Sequence, residues 1–327
     1  MPQLSPSTLR VVVHAILLLA PAVLSAQAIL PGEVTPSANA DQPGSSWSSE
    51  KAEHIYGLPE VKPHRVGTLT LSANDLTFTG KGASATIPRS TITSVSAGDQ
   101  RVELWGLTGR LVRMAIPDGG GLAVAAVAQH RVDMLTVDFN DARGGAHSAV
   151  FFLGAKTADA ALQSFALAPK SSRMPVASDC GTSPMEPGSM RILAPDWDGA
   201  NVPAVYQALV YEHLMERFRK AKNVTHVYRD GETMPAGLCP QYTVHLSVSA
   251  FQEGNSVKRA ALGPIGMFVG TTHFTFNARL TDKTGQLAID EELKTTMRGE
   301  GESTDIADHV AKSVSYTHLT LPTNREV

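Results

Sequence analysis

From Val66 to Leu153 the apolar residues fall in short alternating runs, and this pattern limits what the chain can fold into more than any other feature. Leu69 and Leu71 are followed by Ser72-Ala73-Asn74-Asp75 and then by Leu76 and Phe78, the pattern of two antiparallel strands joined by a turn. Similar runs predict further strands at Ala85–Pro88, Ile92–Ala97, Val102–Trp105, Leu111–Ile116, Met134–Phe139 and Ala149–Leu153. Successive side chains on a strand point to opposite faces, so a series of short alternating strands closes best as an antiparallel sandwich or barrel. Asp118-Gly119-Gly120-Gly121 interrupts the series and leads into the apolar stretch Leu122–Ala128, which fits either a short helix or a loop. Lys156 to Ala168 then reads as a helix, with Ala161, Leu162, Phe165 and Leu167 as its main apolar residues and Pro169 as its end.

Pro169 to Gly188 is rich in Pro, Ser and Gly and reads as a linker. Beyond it a strand is predicted at Met190–Ala194. A helix follows, opened by Asn201 and Pro203 and running to about Lys222. Val205, Leu209, Leu214 and Phe218 give that helix an apolar stripe, and Arg217, Arg219, Lys220 and Lys222 sit where the helix dipole favours positive charge. Strands follow at Val224–Tyr228, Tyr242–Phe251, Thr272–Thr281 and Leu287–Met297, the last two joined by the turn Asp282-Lys283-Thr284-Gly285. Ser303 is placed to cap a final helix, with Asp305 and Asp308 in its first turns. The expected fold class is α+β. An N-terminal antiparallel β barrel or sandwich ending in a helix (53–169) is followed, after the linker (170–188), by a second α/β domain (189–313) whose mostly antiparallel sheet is packed by helices.

The N-terminus carries an address. Arg10 precedes an apolar run from Val11 to Leu24, broken only by His14 and Pro21, and Ala26-Gln27-Ala28 supplies small residues for cleavage. That layout is a secretory signal peptide (1–28), its apolar run falling short of the roughly 20 residues a membrane-spanning helix needs. Residues 29–52, with Pro31, Pro36, Pro43 and several serines, then form a flexible leader. No cysteine sits at the cut, so the mature protein is expected to be soluble rather than lipid-anchored, in the periplasm or secreted.

In such an oxidising compartment Cys180 and Cys239, the chain's two cysteines, are expected to pair as a disulfide rather than hold metal, since Cys-x-x-Cys spacing is absent. The net charge is −3 and only 18% of residues are charged, which excludes a basic nucleic-acid surface.

Catalytic signatures are missing. No His-Glu-x-x-His or Gly-x-Ser-x-Gly occurs, and Gly80-Lys81-Gly82-Ala83-Ser84 reads as a turn rather than a phosphate loop. Asp196-Trp197-Asp198-Gly199 lacks the distal acidic positions of a calcium loop and reads as a turn before the helix. The eleven histidines share no metal-ligand spacing, and Asp290-Glu291-Glu292 reads as a solvated edge. No catalytic, cofactor or metal residues are therefore assigned. His213 on the long helix reads first as a partly buried, hydrogen-bonded histidine, and it or scattered carboxylates would serve a rival hydrolase reading. The glycine-rich apolar segment Leu262–Gly270, with Gly263, Ile265, Gly266, Met267, Phe268 and Gly270, is the candidate contact loop for an envelope protein or a membrane surface; its alternative is a kinked strand under the helix.

Three resemblances add to this. The stretch Gly67-Thr68-Leu69-Thr70-Leu71, Leu76-Thr77-Phe78, Ile87-Pro88 and Ile92 resembles the pleckstrin-homology-like barrels of bacteria. Phe251-Gln252-Glu253-Gly254-Asn255, Arg259, Gly263 to Gly270 and Leu280-Thr281-Asp282 with Gly285 resemble periplasmic domains of unknown function related to the curli-secretion lipoprotein and the TolB N-terminal domain. Val314 to Thr323 resembles a translated sequencing adapter, so residues 314–327 are expected to be foreign to the natural chain. The combined expectation is an exported, non-enzymatic binding or envelope-assembly protein. A second alternative is a lipid-headgroup binder using Lys62, Arg65, Lys81 and Arg89.

Overall fold

The computed structural model describes residues 46–103, 129–154, 156–165, 180, 182–197, 199–235, 237–254, 271–297 and 305–319. The signal segment, the strand predicted at Leu111–Ile116, the stretch 118–128, most of the linker, the segment Gly263–Gly270 and Ser303 lie outside the described residues.

The alternating half forms one antiparallel sheet in the order β4-β3-β2-β1-β7-β6-β5. Its strands are β1 (Trp47–Tyr56), β2 (Arg65–Leu71), β3 (Asp75–Gly80), β4 (Ala83–Pro88), β5 (Ile92–Glu103), β6 (Gln129–Asn140) and β7 (Ala146–Leu153). Leu69 pairs with Phe78 and Leu71 with Leu76 across the predicted hairpin. Two expectations are corrected. The leader was expected to reach residue 52, yet β1 begins at Trp47 and joins β2 to β7, with Ser49 and Ala52 buried. Ile92–Ala97 and Val102–Trp105 were expected as separate strands; pairing with β6 carries one strand, β5, straight through Gly98 and Asp99.

One face of this sheet buries Leu69, Phe78, Leu135, Phe151 and Leu153 beneath α1 (Ala158–Phe165), whose Ala161 and Phe165 are inserted among them. Side chains from the sheet hold both ends of that short helix. Asp133 on β6 accepts the Ala158 amide at 3.0 Å, and Arg89 donates to the carbonyls of Ser164 and Phe165 at 2.8 and 2.7 Å. These are the unpaired groups every helix leaves at its ends, and each is met by the charge the dipole favours. Arg89, read as a headgroup-binding candidate, is thus a helix clamp, while Lys62, Arg65 and Lys81 are exposed.

The second sheet runs β12-β11-β10-β8-β9, from β8 (Met185–Ile192), β9 (His226–Arg229), β10 (Cys239–Gln252), β11 (Thr272–Asp282) and β12 (Leu287–Met297). β10, β11 and β12 are antiparallel, whereas β8 is parallel to both β9 and β10. The turn Asp282–Gly285 closes the β11–β12 hairpin as read. Asp282 accepts the Thr284 and Gln286 amides at 2.8 and 2.9 Å, and Gly285 takes φ +80°. Helix α2 (Ala204–Arg219) crosses from β8 to β9, and α3 (Ile306–Leu319) packs on α2, β11 and β12. Asn201 does not cap α2, because the helix starts directly after Pro203, whose carbonyl accepts the Tyr206 amide at 3.0 Å. Val314 and Ser315 lie within α3 and are buried. No helix among the described residues is long and apolar enough to cross a membrane.

Gln42–Val327 group as one compact unit, and α2 shows why. The sequence stripe names one apolar face, but Val205, Tyr206, Leu209, Val210, Leu214, Met215 and Phe218 are all buried, which covers the helix around its whole circumference. A helix apolar all round must be covered on every side. The second sheet covers one side with Val244, Leu246, Phe274 and Phe276; Ile55, Met134 and Val150 of the first sheet cover another. Strand β7 is accordingly buried on both faces, Ala149 and Phe151 facing α1 and Val150 facing α2. Each fully buried Leu, Val or Phe contributes about 1.5–3 kcal/mol, so α2 is the main apolar bond between the two sheets.

Candidate functional site

A charged cluster lies where the two sheets meet. Arg229, the last residue of β9, is 3% exposed and Glu212, midway along α2, is 4% exposed. The Arg229 guanidinium donates from Nη1 to Glu212 Oε1 at 2.8 Å and from Nη2 to Oε2 at 2.7 Å. Arg229 Nη1 also donates to the Ala146 carbonyl at 2.8 Å, and Glu212 Oε1 accepts the Ser148 amide at 3.0 Å. One ion pair on the second sheet therefore binds both a carbonyl and an amide of β7. Burial alone pulls the Arg229 pKa down, but the Glu212 carboxylate outweighs it and holds the guanidinium above its ordinary range. The Tyr211 ring lies beneath it, 5.7 Å from the guanidinium carbon, and burial raises the Tyr211 phenol well above its ordinary value.

Two loops interlock beside this pair. The turn after β6 is organised by Asp141, which accepts the Arg143 and Gly145 amides at 2.8 and 2.9 Å and pairs with His147 at 3.2 Å. Burial raises the Asp141 pKa, but those backbone amides and His147 overcome it and leave the carboxyl below its usual range. The loop after β9 answers across the gap: Ala146 donates to the Asp230 carbonyl at 2.9 Å and Thr233 to the Arg143 carbonyl at 2.8 Å. Glu232 accepts the Arg229 amide at 2.8 Å and pairs with Arg143 at 2.9 Å. Gly144 marks a close approach of the two loops. It sits at φ +83°, and a Cβ there would stand 2.9 Å from the Gly231 carbonyl oxygen. Only glycine combines that dihedral with that contact.

Above the interlock a cleft of about 340 Å³ opens, lined by Arg143, Arg219, Val224, Thr225, His226 and Val227. Val224 and Val227 form its apolar part. His226 is stacked on Tyr228, with ring centroids 4.3 Å apart, and lies 3.5 Å from Glu186. Glu186 also accepts the Tyr228 hydroxyl at 2.6 Å, and burial first, then that bond, pushes the phenol up to about 12. The Thr225 hydroxyl donates to the Pro187 carbonyl at 3.0 Å. Arg143 is held by Glu232. Arg219, from the last turn of α2, is exposed as a residue and has no ion pair or hydrogen bond among the described residues; partial desolvation of its guanidinium, followed by the nearby Arg229 charge, keeps its pKa below the ordinary arginine range. Chemically this is an open cleft presenting guanidinium and imidazole donors on a fixed floor.

The other sequence candidates are distributed elsewhere. Cys180 and Cys239 are joined by a disulfide with Cα atoms 5.8 Å apart, closing a segment of separation 59 at the start of β10. His213 lies between Tyr56 of β1 and Asp308 of α3. Its ring centroid is 4.3 Å from that of Tyr56, its Nδ1 is 3.8 Å from Asp308, and burial lowers its pKa. Asp308 is itself gripped by Arg217 through Nε at 3.0 Å and Nη2 at 2.6 Å. Gly80-Lys81-Gly82 is the turn of the β3–β4 hairpin, with Gly82 at φ +69°. Asp290, Glu291 and Glu292 are all exposed on β12, Asp290 binding Asn277 at 2.6 Å. Among the described residues no three His, Cys, Asp or Glu side chains converge as a metal site.

Glu212, Arg229, Asp141 and Arg143 were not singled out from the sequence, and Arg219 was read only as a dipole-favoured charge at the end of the helix. The one available signal was a carboxylate at position 212, inside a run of residues that are otherwise mostly apolar.

No family model and no curated protein matches the chain. Among solved structures, the PelC dodecamer from Paraburkholderia phytofirmans aligns with a TM-score of 0.25 at 9% identity, over 41% of this chain and 91% of its own. A point variant of that dodecamer gives 0.26 at 10% identity, over 41% and 93%. An uncharacterized protein gives 0.26 at 8% identity, over 42% and 97%. Likenesses of this size transfer no function.

Proposed function

We propose that this is an exported binding or envelope-assembly protein that acts by recognition rather than catalysis. The observation that carries the proposal is how the ionisable groups at the junction are employed. Arg229, Glu212 and Glu232 are engaged in fastening one sheet to the other, Asp141 and His147 hold the turn beside them, and the cleft above is left as a fixed, open surface. Binding sites are typically clefts of about 300–1,000 Å³ with a few placed polar groups, and this cleft falls at the small end of that range. The signal-peptide layout of residues 1–28 and the Cys180–Cys239 disulfide support export into an oxidising compartment. The partner class proposed is another envelope component.

Two linked experiments test this. The full chain, expressed in a bacterial host, is fractionated and its N-terminus sequenced; a periplasmic product starting at Ile29 is expected, and a cytoplasmic, unprocessed chain contradicts export. The purified product is then assayed for hydrolysis of ester, peptide and glycoside substrates. Turnover that disappears in His213→Ala overturns the proposal in favour of a hydrolase.

A further inference from the structure

We infer that the cleft at β9 is a receptor for a single oxyanion group, a phosphate or a carboxylate carried by the ligand, with Arg219 as its principal donor and Arg143 and His226 beside it. The inference rests on the binding function proposed above and names the ligand class for that same site.

Three features combine. The first is shape: the cleft has room for an oxyanion and a short piece of the molecule bearing it, and its valines give that piece an apolar surface. The second is charge. The acidic side chains that touch cleft residues are committed, Glu232 to Arg143 and the Arg229 amide, Glu186 to Tyr228 and His226, Asp141 to the Arg143 and Gly145 amides and Glu212 to Arg229. Arg229 is paired with Glu212 inside the junction. That leaves Arg219 as the cleft cation with no ion pair or hydrogen bond among the described residues. Desolvation first and the Arg229 charge second lower its pKa, only partly offset by Glu212 and Glu232, and an arriving anion would supply the close partner it lacks. The third is chemistry and rigidity. Guanidinium forks match the geometry of carboxylate and phosphate, and the Arg143 fork is already oriented by Glu232, so little freedom is lost when an anion arrives.

The test is a titration with inorganic phosphate, and separately with acetate, at constant ionic strength. It is followed by the backbone amide signals of Thr225 and His226 in the intact protein. Saturable shifts at these two residues are expected with at least one anion. Arg219→Ala should weaken binding about tenfold or more, Arg143→Ala should weaken it to a smaller degree, and Lys81→Ala, at the distant β3–β4 turn, should leave it unchanged. Arg219 is exposed, so its replacement should keep the unfolding midpoint of the parent, which separates loss of binding from loss of fold. Response to phosphate alone identifies a phosphate-bearing ligand, and response to acetate identifies a carboxylate. Absence of saturable shifts overturns the inference, as does binding that survives Arg219→Ala or falls equally in Lys81→Ala. If it is overturned while the protein is still exported and still lacks turnover, the recognition proposal stands without the anion site.

Discussion

Arg229 on β9 and Glu212 on α2 form a two-pronged ion pair at 2.8 and 2.7 Å, and the same two side chains bind the Ala146 carbonyl and the Ser148 amide of the opposite sheet. The pair is 17 residues apart in sequence, but its β7 partners are 83 and 64 residues away. It therefore forms only once both sheets are in place. Removing one partner strands a buried charge, so Glu212→Gln should destabilise the protein by about 3–5 kcal/mol in urea unfolding. The double replacement Glu212→Leu with Arg229→Met should cost less than the two single changes summed, because no charge is left behind. A Glu212→Gln variant as stable as the parent would show that the pair does not fasten the sheets.

Gly144 gives a sharper local probe. Alanine there must adopt φ +83° and push its Cβ against the Gly231 carbonyl, for a cost of about 1–2 kcal/mol from the dihedral alone. Gly237 has a similar dihedral, φ +79°, with open space around it, so Gly237→Ala should incur the dihedral cost without the clash. The expected order in thermal unfolding is parent, then Gly237→Ala, then Gly144→Ala. Equal midpoints for the two variants would mean that the loops are not in contact.

Much of the fold was legible because turns bracket its elements. β12 was read over Leu287–Met297 because Asp282 and Gly285 mark its start, and β3 followed from the Ser72–Asp75 turn. β1 escaped notice because Trp47-Ser48-Ser49-Glu50-Lys51 continues a polar leader, and only its position between β2 and β7 buries Ser49 and Ala52. Gly98 and Asp99 looked like a strand break, but β6 supplies a full ladder of partners there. The candidate site was hidden for a related reason. Glu212 and Arg229 resemble solvated charges until β7 is brought alongside them, and which distant strand arrives is a long-range fact that local periodicity does not carry.

His54 makes stability depend on pH. Its ring is fully buried, its Nε2 accepts the Leu58 amide at 3.0 Å and its Nδ1 faces the Lys62 carbonyl at 3.3 Å, which fixes the neutral tautomer. Burial lowers its pKa from 6.5 to about 4. The unfolded chain thus takes up a proton near pH 6.5 that the folded chain resists until about pH 4. Stability should fall as pH drops through that window, by on the order of 3 kcal/mol from this residue. An NMR titration should show the His54 ring neutral at pH 5, and a midpoint near 6.5 would contradict the burial.

The disulfide has its own expected outcome. Closing the segment between Cys180 and Cys239 should stabilise by about 4 kcal/mol in the chain-entropy account. Reduction, or paired replacement by alanine, should lower the unfolding midpoint measurably, and unchanged melting under reductant would mean that the bond is not closed in solution.

The most direct test of the whole account is thermal unfolding of a Trp105→Phe background, which leaves Trp47 to report on the first sheet and Trp197 on the second. It is recorded in phosphate and in chloride at matched ionic strength. A ligand that binds only the folded state raises its stability. The predicted result is a single transition shared by both tryptophans, moved upward by phosphate or, if the ligand group is a carboxylate, by acetate in its place, and unmoved by either in Arg219→Ala. Two separate transitions, or a midpoint that ignores both anions in the parent protein, would contradict a rigid two-sheet body that recognises an oxyanion at its junction.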